Sequence, residues 1–179
     1  MFRDALDSLL KKAGFITRVE SPLEKRSEQD EGLRIDILAH PHGNGPALLI
    51  DITIFNSVAP NAEEKECMRE LEKREEAKRA KYQDAAAAMG GTVLPVALDV
   101  YGATRDGTLA FLRGLVPQMK ARVNADEAPT ISFHATILPV LSRALAFGNG
   151  QCLLLSNKLP QLGIDVNGSN QWSMEAAAE

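Results

Sequence analysis

Residues 33–39, LRIDILA, and residues 47–55, ALLIDITIF, are two apolar runs that each carry one aspartate near the middle. The segment between them, HPHGNGP at 40–46, is dense in turn formers. Both runs have strand length, and the second is nearly continuous in apolar residues, as expected of a strand buried on both faces. The spacing predicts a hairpin with a longish loop. If its turn centres near Gly43-Asn44, Asp36 and Asp51 fall directly opposite each other.

Working outward, Phe2, Ala5, Leu6, Leu9 and Leu10 recur at helical spacing, and Gly14 stops a helix predicted over Phe2–Ala13. Residues 15–20, FITRVE, alternate and read as a short strand before Ser21-Pro22; the charged stretch 23–32 reads as an exposed loop. On the other side, residues 61–89 predict a long helix, mixed in charge and then rich in alanine, ended by Gly90-Gly91. Residues 92–100, TVLPVALDV, predict a strand whose Pro95 suggests an edge position or a bulge. Helix follows over 104–123, kinked or broken at Pro117, and mostly over 130–155, with kinks or breaks at Pro139 and Gly148-Asn149-Gly150. The order is helix, three strands, long helix, strand, then helices. That predicts an α/β fold: a small mixed sheet flanked by helices, with one domain over 1–160 and a loosely ordered tail over 161–179.

A chain of 179 residues is large enough to bury a core without staples. Cys67 and Cys152 form no metal-type spacing and no disulfide scaffold, so a reducing compartment, nuclear or cytoplasmic, is expected. Residues 1–15 carry charges throughout, without a signal-peptide core, and no apolar run reaches membrane-spanning length, so no membrane partner is expected. The net charge of −4 weighs against a generally basic nucleic-acid binder, so any such contact needs local cations or neighbouring domains.

A carboxylate inside an apolar strand is costly unless it is paired or holds a cation. Two of them face to face repel, and a divalent cation between them relieves the repulsion. Hard oxygen ligands favour Mg²⁺ or Mn²⁺. The plain alternative is a pair of solvent-facing or backbone-bound aspartates. On the long helix, Lys78 and Tyr82 stand four apart and share a face, with Lys81 close to it. The other charges of that helix read as a solvated surface with ion pairs such as Glu75–Arg79. His40 and His42 lie in the turn without a second ligand pair and read as exposed, and His134 reads as a structural histidine among apolar neighbours. No dinucleotide, P-loop, nucleophile-elbow or zinc-protease motif is present.

Taken in order, Glu20-Ser-Pro22, Arg34-Ile-Asp36-Ile-Leu38, Leu48-Leu-Ile-Asp51-Ile-Thr53-Ile54, Ala77-Lys78-x-x-Lys81-Tyr82 and Leu94-Pro-Val96-Ala-Leu98-x-x-Tyr101-Gly102 form a series. It resembles the PD-(D/E)XK nuclease superfamily, and within it the restriction-like endonuclease domain of site-specific non-LTR retrotransposons. Residues 141–149 resemble the end of such polyproteins. The resemblance covers residues 13 to 150. It departs from the pattern at Ile35, where a proline is usual, and in the strand reading D-I-T, which lacks the usual lysine.

The resemblance implies a restriction-endonuclease-like α-β-β-β-α-β core with extra C-terminal helices, and metal-dependent cutting of DNA that leaves a 3′-hydroxyl primer. It implies catalytic roles for Asp36, Asp51, Lys78 and Glu20, with Lys81 as the fallback lysine. Asp36, Asp51, the Ile52 carbonyl and Glu20 would be the ligands of Mg²⁺ or Mn²⁺. Arg34, Lys81, Tyr82, Arg105 and Arg113 are the candidate DNA contacts. Upstream reverse transcriptase and zinc-knuckle domains are the implied polyprotein partners. The alternative is a decayed domain of the same fold that binds nucleic acid or protein without cutting.

Overall fold

The structure, a computed structural model, describes residues 1–23, 33–43, 45–56, 64–124 and 126–158, with backbone alone at 64–65 and 150–158. Most of the expected charged loop after Leu23, and the expected tail at 161–179, lie outside the described residues.

The apolar stripe at the N-terminus folds as helix α1, Phe2–Lys12, and buries Phe2, Leu6, Leu9 and Leu10. Three strands follow: β1, Ile16–Pro22; β2, Arg34–His40; and β3, Leu48–Phe55. Helix α2, Glu64–Ala88, crosses to β4, Thr92–Asp99. Helix α3 spans Asp106–Lys120, and helix α4 spans Leu138–Lys158. The sheet order is β1-β2-β3-β4. β1–β2 and β2–β3 are antiparallel and β3–β4 is parallel, so the sheet is mixed. β4 is an edge strand, which accommodates Pro95 and its missing N–H.

Side-chain alternation divides the core between the two faces. Ile37, Ile50, Val96 and Leu98 pack with α1, α3 and α4 in one cluster. Leu38 and Leu49 pack with Tyr82 and Ala86 of α2 in the other. Where α2 returns to the sheet, a Cβ on Gly91 would meet the Ala47 carbonyl oxygen at 2.7 Å, so only glycine fits there.

Two of the three expected kink or break points lie within continuous helix. α3 runs through Pro117, which removes one N–H near the helix end while Leu112, Leu115 and Met119 stay buried on either side of it. α4 likewise runs through Gly148-Asn149-Gly150. Pro139 falls in the first turn, where no helical N–H bond is needed, just after a π turn at Phe133–Ile137. Asn149 donates through Nδ2 to the Val100 carbonyl at 2.6 Å, fixing the helix to the end of β4.

Candidate active site

The hairpin pairs Ile37 with Ile50, Leu38 with Leu49 and Ala39 with Leu48. One step further, this register sets Asp36 across from Asp51. There the Asp36 side chain takes over from the ladder: its Oδ2 accepts the Ile52 N–H at 2.6 Å. That amide adjoins the Asp51 carbonyl carbon, so the Asp36 carboxylate lies against the Asp51 backbone.

Asp51 faces α2 and is 4% exposed. Lys78 Nζ lies 2.6 Å from its Oδ2. That ammonium is the partner of the buried oxygen. Tyr82, one turn along, is 2% exposed and donates its O–H to the Arg34 carbonyl at 2.8 Å. Burial first, then the adjacent Asp51 carboxylate and the charge of Asp36, push its phenol well above the ordinary value. Lys78 and Tyr82 thus share the face that their spacing predicts, and both meet the Asp51 side of the hairpin.

Asp36 is half-buried. Burial raises its carboxyl above the usual range, and the charge of Asp51 adds to this. The Ile52 N–H bond and the charges of Lys78 and Arg3 oppose the rise.

On the β1 side, Val19 pairs with Ile37 and Ser21 with Ile35, which sets Glu20 across from Asp36. Glu20 has φ of +48°, the left-handed region that a side chain enters at about 1 kcal/mol or more. The chain rolls over at this point. Strict alternation would put Ile35 with Ile37, yet Ile35 joins the α2-side cluster with Leu38 and Tyr82. Glu20 is ion-paired with Arg3 of α1. The expectation of Glu20 as a third metal ligand therefore needs correction for this arrangement: a guanidinium holds its carboxylate. Among the described residues, no group of three or more His, Cys, Asp or Glu side chains is gathered for a metal ion.

The expected DNA contacts divide. Arg34 and Lys81 are exposed. Tyr82 is a core residue, sealed beneath α2 with no ring face left for a base. Arg105 is engaged by α2, with Nη2 2.8 Å from Glu72 and Nη1 3.3 Å from Glu75. Arg113 lies over the Phe133 ring at 5.5 Å. His40 and His42 are exposed as expected; His134 is exposed too, edge-on to Phe133, rather than buried.

Two charged residues escaped the sequence reading. Glu75 is 3% exposed, and its expected pair with Arg79 forms at 3.1 Å, joining a buried carboxylate to a half-exposed guanidinium. Its signal was its place on the buried stripe Leu71, Glu75, Lys78, Tyr82, Ala86. Arg3 carried no signal, because only the docking of α1 brings it to Glu20.

Two carboxylates are a sparse donor set for a divalent ion, and one that Mg²⁺ accepts, since it keeps several waters and binds through one or two carboxylates with substrate phosphates. An ion there would share the Asp51 carboxylate with the Lys78 ammonium, which holds Oδ2. Compared with known families and with curated proteins, the chain matches no family model and no curated sequence. Among the described residues, no helix is long and apolar enough to cross a membrane.

Proposed function

We propose that the chain is a Mg²⁺-dependent endodeoxyribonuclease of the restriction-like type, nicking target DNA for retrotransposon integration. The observation that carries this reading is the convergence of Asp36 and Asp51, in register on neighbouring strands, with Lys78 on Asp51. The order α-β-β-β-α-β and the motif series support it. Asp36 and Asp51 would hold the cation. A bound divalent ion supplies Lewis acidity and a water acidic enough to attack a phosphodiester. Lys78 pairs with the buried Asp51 carboxylate and would present an ammonium where charge develops on the phosphate. Tyr82 holds the face of α2 against β2 and so fixes the lysine. Arg34 and Lys81 are the exposed cations available to the DNA backbone.

A second reading is a decayed, non-cutting module of the same fold. The closure of Lys78 on Asp51, the engagement of Arg105 and the acidic balance favour it. Plasmid nicking in Mg²⁺ or Mn²⁺ separates the two. The nuclease reading predicts that wild type nicks, and that Asp36→Ala, Asp51→Ala and Lys78→Ala each lose at least about 100-fold in rate, the size of losing one charge-stabilising group. Equal nicking by Asp36→Ala, Asp51→Ala and wild type would end the nuclease assignment.

A further inference from the structure

The carboxyl end of β4 runs into a turn that is pinned from several sides. The buried Asp99 accepts the Tyr101 and Ala103 N–H groups through Oδ1, at 2.9 and 2.7 Å. Its own backbone N–H donates to the Ala103 carbonyl at 3.0 Å, and Gly102 turns the chain there at φ of +92°. Thr104 then bridges back to Leu98 and donates its hydroxyl to the Ala97 carbonyl at 2.8 Å. This fixed turn borders a cavity of about 400 Å³, walled by Phe2 of α1, the end of β4, α3 and α4. The volume lies within the range of small-molecule sites, roughly 300–1,000 Å³. The chain has six Phe, two Tyr and one Trp; Phe2, Phe133 and Tyr101, a third of that set, border this one cavity. Tyr101 is 76% exposed, so the turn holds a large ring out in water at the cavity rim. The walls are mainly apolar, with a polar strip on α4 where Ser142 and Asn149, seven residues apart, share a helix face. Asn149 engages the Val100 carbonyl through Nδ2, which leaves its amide oxygen to accept.

We propose that this cavity binds a small planar aromatic molecule with one hydrogen-bonding group, its ring set among Phe2, Tyr101 and Phe133 and its polar group towards Ser142 and Asn149. Size decides against a macromolecular segment. The cavity equals a cube about 7 Å on edge, whereas a helix with its side chains is about 10–12 Å across. A single ring system fits and a helix does not. Apolar cavities of this kind hold little water and accept small aromatic molecules. The pinned turn is already in place, so binding orders little of the chain. The site shares no residue with the Asp36–Asp51 pair and does not depend on the metal reading.

The test is titration calorimetry of indole, a fused planar ring with one N–H, into the full chain in EDTA. The expected Kd is on the order of 0.1–1 mM, as suits a ligand of so few atoms. Ala146 lines the cavity from an exposed position on α4, so Ala146→Phe fills the space without disturbing the core. It is expected to weaken indole binding at least about tenfold while the melting temperature stays at the wild-type value. Tyr101→Ala, at the rim, is expected to weaken binding about three- to tenfold, and Tyr101→Phe to retain it. Ser142→Ala is expected to cost about two- to tenfold, the size of one hydrogen bond. No heat of binding at millimolar indole overturns the proposal. So does an unchanged affinity in both Ala146→Phe and Tyr101→Ala, which would put the probe elsewhere. Self-association of the wild type that Ala146→Phe abolishes would give the cavity to a side chain of a second copy, and overturns it as well.

Discussion

At neutral pH Asp36 is charged in a position that favours its neutral form. Its folded carboxyl lies above the ordinary 3.8, through burial first and the neighbouring Asp51 second. The folded state therefore binds this proton more tightly than the unfolded chain. Stability falls as pH rises from the unfolded value through the folded one, and the full penalty is present at pH 7. Asp36→Asn removes the charge and keeps an oxygen for the Ile52 N–H. Because Asp36 is half-open to water, the gain is small: the variant is expected to melt about 1–3 °C above wild type at pH 7. The difference should shrink towards pH 4. Scanning calorimetry at both values checks this, and a lower melting temperature for the variant at pH 7 would contradict the electrostatic account. A residue whose removal stabilises the fold is one retained for another reason.

At the scale of elements, α2 carries out two tasks with one face. Leu71, Ala86 and the Tyr82 ring fill the space over the sheet, while Lys78 meets Asp51 and the Tyr82 hydroxyl meets the Arg34 carbonyl. Tyr82→Phe keeps the packing and loses the hydroxyl, which bonds the Arg34 carbonyl and adjoins the Asp51 carboxylate. It is expected to cost about 1–2 kcal/mol, read as a shift in the urea midpoint, with DNA affinity unchanged because the ring is sealed in the core. A loss of DNA affinity without a loss of stability would return Tyr82 to the interface.

The same helix shows what was legible beforehand. The Lys78–Tyr82 face followed from the four-residue repeat, and the Asp36–Asp51 register from the centre of the turn. Both depend on local periodicity. Glu75 was hidden, because in a run of alternating charges a buried glutamate looks like its solvated neighbours. Pro117 and the Gly148-Asn149-Gly150 run carry strong local signals for a break. Tertiary contacts override them: Leu112, Leu115 and Met119 hold α3, and the Asn149 bond to β4 holds α4. Arg3 and the left-handed Glu20 were out of reach, since both exist only once α1 docks beside β1.

On the scale of the whole molecule, Asp36 and Asp51 lie on neighbouring strands of the sheet that separates the two clusters of the core. The cluster of α1, α3 and α4 supports one face of the sheet and α2 the other. Glu20 and Asp51 each take a cation from a different helix, Arg3 of α1 and Lys78 of α2. The central claim is that Asp36 and Asp51 share one divalent ion. Anomalous diffraction from crystals soaked in Mn²⁺ tests it most directly. The account predicts a peak about 2.1 Å from one carboxylate oxygen of each aspartate, lost in Asp51→Asn. Manganese peaks confined to other sites, with Lys78 still closed on Asp51, would contradict it.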